Sequence, residues 1–298
     1  MLKASLIIPT YNKLSRLKLL MTSLKNQNCS TDCFEVIIIN DQSTDDTMQY
    51  LKSLKSDFAL HILEQKHSGR AETRNKGLMK AKNDVIIFVD DDLILSPDFI
   101  TEHLKRHETG ECVVHGRIAN LPYLKFFADP SNGIFYDGLN VEVSKAAPMR
   151  QRCITEEDII NDFNAKVVKM SRLTPMEKMI SKLLSDYSGK ADWIAFNGGN
   201  TSADRSLLLK IGGFDEKFGF NWGCEDLELG YRFFKENVRF IYSNEAVNYH
   251  IAHYRASFKE EHEKNSNYFY EKHNDEKILL FQAFVESKIN VDDFLERL

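Results

Sequence analysis

The sequence predicts an α/β fold, a mostly parallel central sheet flanked by helices. Three observations lead there. Short apolar runs at residues 4–9, 34–39, 59–63 and 85–89 alternate with stretches whose apolar residues recur at helical spacing, and such alternation builds a parallel, right-handed sheet. The Val/Ile-rich runs lack the one-in-two polar pattern of a half-exposed strand, as expected of strands covered on both faces. Polar residues then follow three of the runs: Tyr11-Asn12, Asn40-Asp41 and Asp90-Asp91-Asp92. Parallel strands present their C-terminal ends together, and that edge is where open α/β sheets bind ligands.

Taken in order, residues 4–9 (ASLIIP) end at Pro9, which cannot donate to a sheet ladder. Thr10-Tyr11-Asn12 form a turn, and Leu14, Leu17, Leu20, Met21 and Leu24 predict a helix. Residues 34–39 (FEVIII) predict the second strand. Ser43 or Thr44 then caps a helix through Met48, Leu51 and Leu54. Residues 59–63 predict a weaker third strand, and 69–81 a helix. Residues 85–92 (VIIFVDDD) run a buried strand into three aspartates. Unpaired carboxylates cannot lie inside such a strand, so they must face the crevice. Residues 98–107 predict a helix and 112–118 a strand. From 120 to 189 the periodicity loosens around Pro122, Pro130, Gly133, Gly138 and Pro148, with helical stretches at 156–170 and 175–187. This reads as an insertion covering the crevice rather than as core sheet. Residues 191–196 predict a strand leading to Asn197-Gly198-Gly199-Asn200. Residues 205–211 predict a helix stopped by Gly212-Gly213, 225–235 another helix and 238–242 a strand. Beyond Tyr254 the chain is charged and helical.

Composition excludes several classes. The 298 residues are 28% charged and 43% hydrophobic with a net charge of −5, ordinary for a globular protein and without the basic footprint of a nucleic-acid binder. The five cysteines are scattered, with neither zinc-site spacing nor a disulfide framework, which predicts reduced thiols and a cytoplasmic location. No stretch approaches the ~20 apolar residues that cross a bilayer, and the N-terminus reads as a strand rather than a signal segment. Peripheral association with the inner face of a membrane stays open, as does the oligomeric state.

Four groups could carry chemistry. Asp90, Asp91 and Asp92 repel one another unless a cation sits among them. Hard oxygen ligands suit Mg²⁺ or Mn²⁺, which in turn bind phosphate; the bland alternative is a helix-capping cluster. Tyr11 and Asp41 suit a nucleobase, with Asp41 accepting the N3–H of uracil, although Asp41 equally suits a turn. His67-Ser68-Gly69-Arg70, with Arg74 one turn further on, opens a helix and favours phosphate, or forms a solvated basic face. In Asn221-Trp222-Gly223-Cys224-Glu225-Asp226, two acids begin a helix behind an indole. They complement the helix dipole, and they also suit a general base beside a stacking platform for a sugar. His250 and His253 follow a strand-like segment and either complete a metal site with the acids or are structural.

These stretches together resemble the family 2 inverting glycosyltransferases, which have the nucleotide-diphospho-sugar transferase (GT-A) fold. The matching segments are SLIIPTYN, VIIINDQSTDDT, HSGRAETRNKGL, VIIFVDDD, FNGGNTSADRSLLLKIGGFDE, NWGCEDLELGYRF and VNYHIAH, which run in family order over about two-thirds of the chain. NWGCEDLELGYRF also resembles the C-terminal part of β-1,4-galactosyltransferases and the galactosaminyltransferase modules of bacterial polysaccharide synthases. The resemblance implies a UDP-sugar donor held by Pro9, Tyr11, Asp41, Arg74, Asp90 and Asp91, with Gly198, Gly199 and Trp222 facing the sugars. It implies Mn²⁺ or Mg²⁺ at Asp92, Asp90 and His250, Asp226 as catalytic base and Glu225 as its acceptor-binding neighbour. Asn40 departs from the family's usual Asp and leaves Asp41 as the acid there. The implied acceptor is a hydroxyl of a glycan, a lipid-linked species, a peptide or a small molecule. The implied layout is a GT-A domain over 1–254, comprising a nucleotide-binding half 1–118, an insert 119–190 and an acceptor-side half 191–254, followed by a helical extension 255–298. Two rivals remain. A nucleotidyltransferase of the same fold would want a Gly-rich phosphate loop after the first strand, which PTYNKLSR lacks. A non-catalytic UDP-sugar-binding subunit of a polysaccharide synthase would not need Glu225-Asp226.

Overall fold

The computed structural model describes residues 2–139, 141–253 and 258–298. Eleven strands form among them: β1 (Ala4–Thr10), β2 (Phe34–Asn40), β3 (Ala59–Glu64), β4 (Val85–Phe88), β5 (Leu93–Leu95), β6 (Val113–Leu121), β7 (Phe127–Asp129), β8 (Ile134–Phe135), β9 (Arg172–Leu173), β10 (Thr201–Asp204) and β11 (Phe240–Ile251). The main sheet runs in the order β3-β2-β1-β4-β10-β6-β11-β5, with β9 on β6. Strands β3, β2, β1 and β4 are parallel, as their apolar runs predict. β10 then runs antiparallel to both β4 and β6, so the sheet is mixed beyond β4.

Side-chain alternation splits the core into two layers. Leu6, Ile8, Val36, Ile38, Val85 and Ile87 point to one face, where Leu17, Leu20 and Leu24 of the helix Leu14–Lys25 cover them. Ile7, Ile37, Ile39, Ile86 and Phe88 point to the other. That second layer is closed by the helices Arg70–Lys80, Pro175–Asp186 and Glu225–Lys235. The period of two is the reason these runs read as continuously apolar: both faces are covered. The C-terminal helices Phe258–His273, Glu276–Val285 and Val291–Glu296 share this layer through Phe269, Ile278, Phe281 and Phe294. Trp193 is fully buried, with the rings of Phe269 and Phe281 each 5.5 Å from its own.

Three elements differ from the sequence expectation. Residues 191–196 are not a strand: Asp192–Ala195 form a 3₁₀ turn whose side chains are all buried. A short apolar run carries no period that tells a buried turn from a buried strand. The strand lies beyond Asn200, at β10. Residues 238–242 are only the start of β11, which continues to Ile251 past a bulge between Ser243 and Asn248. β5 was not expected; it follows the aspartates directly and pairs antiparallel with β11, Leu93 opposite His250. The segment 120–189 is also divided. The β7–β8 hairpin sits on the helix Leu14–Lys25, where the Arg16 guanidinium donates to Phe127 O at 2.8 Å and Ala128 O at 3.0 Å. Pro175–Asp186 instead places Met179, Ile180 and Leu183 in the core. All five cysteines are free, and four of them are buried. No helix among the described residues is long and apolar enough to cross a membrane.

Gly77 sets how closely the helix Arg70–Lys80 lies on the sheet. A Cβ there would stand 2.5 Å from Ile7 Cγ2 and 2.9 Å from Ile39 Cδ1. Alanine improves helix propensity by ~1 kcal/mol, but overpacking a filled core costs ~1–3 kcal/mol. Gly77→Ala is therefore expected to lower stability by ~1 kcal/mol, read as a lower urea midpoint; a raised midpoint would show that the interface yields.

Candidate active site

The C-terminal ends of β1, β2 and β4 open into one crevice, and the chain beyond β10 closes its far side. Because Thr201 of β10 pairs with Phe88 of β4, the turn Asn197–Asn200 is brought beside Asp90. A Cβ on Gly199 would lie 3.3 Å from Asp90 Oδ2, and one on Gly198 would strike the Arg74 guanidinium. A side chain at Gly198 would displace Arg74, and one at Gly199 would crowd Asp90 and Asn197.

Arg74 lies beneath the crevice. Its side chain is 2% exposed, and it bonds Asp90 Oδ1 at 2.8 Å and Glu225 Oε1 at 2.9 Å. The Phe214 ring lies against the guanidinium at 5.4 Å. Burial works against the charge, but Asp90, Glu225 and Asp226 outweigh it and hold Arg74 protonated. Its charge is thus shared between the two acids it positions. Glu225 is buried, and its Oε2 has no hydrogen-bond partner among the described residues.

Asp226 begins the helix Glu225–Lys235, after Gly223 and Cys224, both in left-handed backbone conformation at φ 96° and 69°. Its Oδ2 accepts the Gly198 N–H at 3.0 Å and its Oδ1 the Leu227 N–H at 2.8 Å. Burial, then the neighbouring Glu225, pushes its carboxyl up to about 6, against the pull of Arg74 and of the two N–H groups. That value suits a group that must accept a proton near neutral pH.

The three aspartates have three fates. Asp90 is bound to Arg74 and is about one-third exposed. Asp91 accepts the Thr10 hydroxyl at 2.8 Å and the Tyr11 N–H at 3.3 Å, so it pins the end of β1. Burial pushes its carboxyl up to about 7. Asp92 faces Lys13 Nζ at 3.1 Å, His253 Nε2 at 3.0 Å and His250 Nε2 at 3.7 Å. Burial opposes its charge, yet Lys13 first, then His250 and His253, hold it well below the usual carboxylate range. One ligand atom each from Asp92, His250 and His253 lies within 4.8 Å of the others. His250 Nδ1 meets Asn120 Oδ1 at 2.9 Å, an acceptor that fixes the proton on Nδ1 and turns a bare Nε2 toward Asp92. A carboxylate with two imidazoles within this reach fits Mn²⁺ or another first-row divalent ion.

Asp41 gathers the loop before the helix Arg70–Lys80. It accepts from Gln65 Nε2 at 2.8 Å, from the N–H groups of Ser68 and Gly69 at 3.0 and 3.2 Å, and from His67 Nδ1 at 2.8 Å. The His67 ring stacks on Tyr11, 4.3 Å away, and meets the tilted ring of Phe220 at 4.9 Å. Tyr11 and Phe220 are 41% and 64% exposed, so this aromatic column stands at the mouth of the crevice. Pro9 is half-buried at the end of β1.

The sequence profile of glycosyl transferase family 2 matches residues 5–162, more than half of the chain. The chain belongs to that family. A second profile, described as the N-terminal domain of galactosyltransferase, matches residues 178–259. Over 264 residues the chain is 32% identical to YfnE, an uncharacterized glycosyltransferase of Bacillus subtilis, covering 85% of this chain and 65% of YfnE. The fold matches that of S. aureus TarS 1-349 in complex with UDP-GlcNAc, with a TM-score of 0.54 at 19% identity, over 85% of this chain and 59% of that one. It also matches GalNAc-T7 with UDP, GalNAc and Mn²⁺, with a TM-score of 0.57 at 15% identity, over 91% and 48% of the two chains. At such identities the likeness is one of fold, the GT-A glycosyltransferase fold. The chain spans less than two-thirds of the length of the curated relatives it matches.

In this family 2 chain the structure brings together Arg74, Asp90, Gly198, Gly199, Glu225 and Asp226, and separately Asp92, His250 and His253. Asp90 stands outside the latter group, bound to Arg74 instead. Trp222 is half-buried: its ring lies 5.8 Å from His262 of the helix Phe258–His273, and its backbone N–H donates to the Glu261 carboxylate. Lys13 and Asn120 were not singled out from the sequence. A lysine after a turn reads as surface, and Asn120 fell where the insertion was expected to begin. Removing Arg74 would leave two acids unpaired, Glu225 fully and Asp90 partly shielded from water. Arg74→Met is expected to cost ~3–5 kcal/mol, the range for breaking a buried ion pair. Chemical denaturation reads this, and a loss below ~1 kcal/mol would show that water takes over the role of Arg74.

Proposed function

We propose that the chain is an inverting hexosyltransferase that moves a hexose or N-acetylhexosamine from a UDP-sugar to an acceptor hydroxyl, with Asp226 as general base. The observation that carries this reading is the environment of Asp226: a carboxyl held by the Gly198 and Leu227 N–H groups, at about 6, on the crevice wall opposite the C-terminal end of β4. Family membership supports a glycosyltransferase, and the UDP-GlcNAc complex of TarS supports a UDP-sugar.

The acceptor oxygen attacks the anomeric carbon while the bond from that carbon to the diphosphate oxygen breaks. Asp226 takes the acceptor proton, and the electron pair leaves on UDP. One in-line displacement inverts the anomeric centre and gives a β-linkage from an α-linked donor. Arg74 holds Glu225 and Asp90 in place beside the reacting carbon, and Glu225 Oε2 is free to receive an acceptor hydroxyl. Tyr11 and the Asp41 loop offer the uridine side of the crevice its ring face and acceptor. Asp92, His250 and His253 would hold Mn²⁺ or Mg²⁺, which when bound supplies the charge that stabilises the leaving diphosphate.

Asp226→Asn is expected to keep UDP affinity and lose ~10²–10⁴-fold in kcat. The base acts when ionised, so wild-type kcat/KM should climb as pH rises through about 6 and level above it. The variant should lack that limb. A variant at wild-type rate would remove the base. Chelation with EDTA is expected to abolish UDP release from UDP-sugars and Mn²⁺ to restore it; full turnover in chelator would remove the metal.

A further inference from the structure

A line of buried polar side chains runs beneath the sheet to the turn Asn197–Asn200. His103, His107, Asn200 and Ser202 are each at most 4% exposed. The order of donors along the line can be worked out from one end. Asn200 Nδ2 faces two carbonyls, Arg117 O at 3.2 Å and Ala246 O at 3.1 Å, so its Oδ1 must be the atom turned to His103. Oδ1 only accepts. His103 Nε2, 2.9 Å away, therefore carries a proton and donates it. Burial holds the His103 ring down to about 3, so it is neutral and its Nδ1 is bare. The Ser202 hydroxyl, 2.8 Å from that Nδ1, must donate to it. His107 Nε2, also 2.8 Å from Ser202 Oγ, then donates to the hydroxyl oxygen. Beyond His107 lies Asp204 at 3.3 Å, which also accepts the Cys112 N–H at 3.0 Å. The Cys112 thiol is pushed up to about 11 by burial and Asp204, so it is protonated beside that carboxylate.

The near end bears on catalysis. Asn200 is the last residue of the turn whose Gly198 N–H holds Asp226, and whose Gly199 carbonyl accepts Asn248 Nδ2 at 2.8 Å. Gly116 lets the Asn200 amide in: a Cβ there would strike it. Remove the His103 donor and Asn200 Oδ1 is left buried and unsatisfied, a cost that turning the amide over would relieve only by breaking its other bonds.

We propose that His103 is a positioning residue for sugar transfer: it locks the Asn200 amide, and through the Gly198–Gly199 turn it sets Asp226 at the reacting carbon. This rests on the reading of Asp226 as base. It predicts a loss in kcat without a matching loss in UDP binding, because the uridine-side residues lie on other strands.

Two measurements test it. In ¹⁵N-labelled wild-type protein at pH 7, ring ¹⁵N shifts should show His103 as the neutral Nε2–H tautomer. An Nδ1–H ring or an imidazolium would overturn the wiring whether or not the chain transfers sugar. In steady-state assays, His103→Asn, which lacks a donor at the Nε2 position, should lose about tenfold to 10²-fold in kcat, the scale of a ~1 Å misplacement. Its calorimetric affinity for UDP with Mn²⁺ should stay within about twofold, well inside that scale. His103→Gln, whose amide nitrogen reaches the Nε2 position, should recover most of kcat. Equal impairment of both variants, or affinity falling in step with kcat, would overturn the proposal. If His103→Asn does not fold, the rate of His103→Gln and the tautomer decide. Should wild type neither bind UDP nor release it from UDP-sugars, the functional reading falls while the tautomer result still stands.

Discussion

The site depends on one buried cation. Arg74 comes from the helix Arg70–Lys80, Asp90 from the end of β4 and Glu225 from the start of a helix some 150 residues along the chain. A guanidinium with five donors in a rigid fork can satisfy two carboxylates at once, as a lysine ammonium could not with the same geometry. Desolvating it is costly, and the two acids offset that cost only because both are within hydrogen-bond distance. The same arrangement explains Gly198, which must be small to pass the guanidinium, and Gly77, which lets the helix carrying Arg74 lie low on the sheet.

The second constraint is the reversal of the sheet after β4. β10 antiparallel to β4 delivers the Asn197–Asn200 turn to the acids. β5 antiparallel to β11 does the same for His250, and the Ile251 N–H donates to Asp92 O at 2.9 Å. The turns that carry or meet these carboxylates are therefore anchored by backbone ladders at their ends. Positions built that way tolerate little displacement, which suits a reaction that needs aligned atoms.

Much of this was legible in the chain. The runs ASLIIP, FEVIII and VIIFV are apolar on both faces, and polar residues follow each; that pattern alone aligns Tyr11, Asp41 and Asp90 on one edge. Glu225-Asp226 after Trp222-Gly223 also stood out. The parts that were not legible depend on long-range pairing. Leu93–Leu95 is too short to show a period, and β11 looked finished at Tyr242 because Ser243, Asn244 and Glu245 interrupt its apolar run at the bulge. Without β11 running to Ile251, nothing ties His250 to Asp92 or Asn120. Trp193 and its neighbours read as a strand because burial, not pleating, made them apolar. Likewise His103 and His107 look like surface residues of a charged helix until Ser202 and Asn200 are seen beneath them.

The column of Tyr11, His67 and Phe220 has a consequence for which heterocycles the crevice can tell apart. The imidazole lies against both rings and donates its Nδ1–H to Asp41. A planar base taking that place would exchange one N–H donor for another, at little net cost if it carries such a proton on its edge. A base presenting a lone pair there would set it against the carboxylate. Discrimination between pyrimidines would then come from a histidine that leaves rather than from a contact that forms.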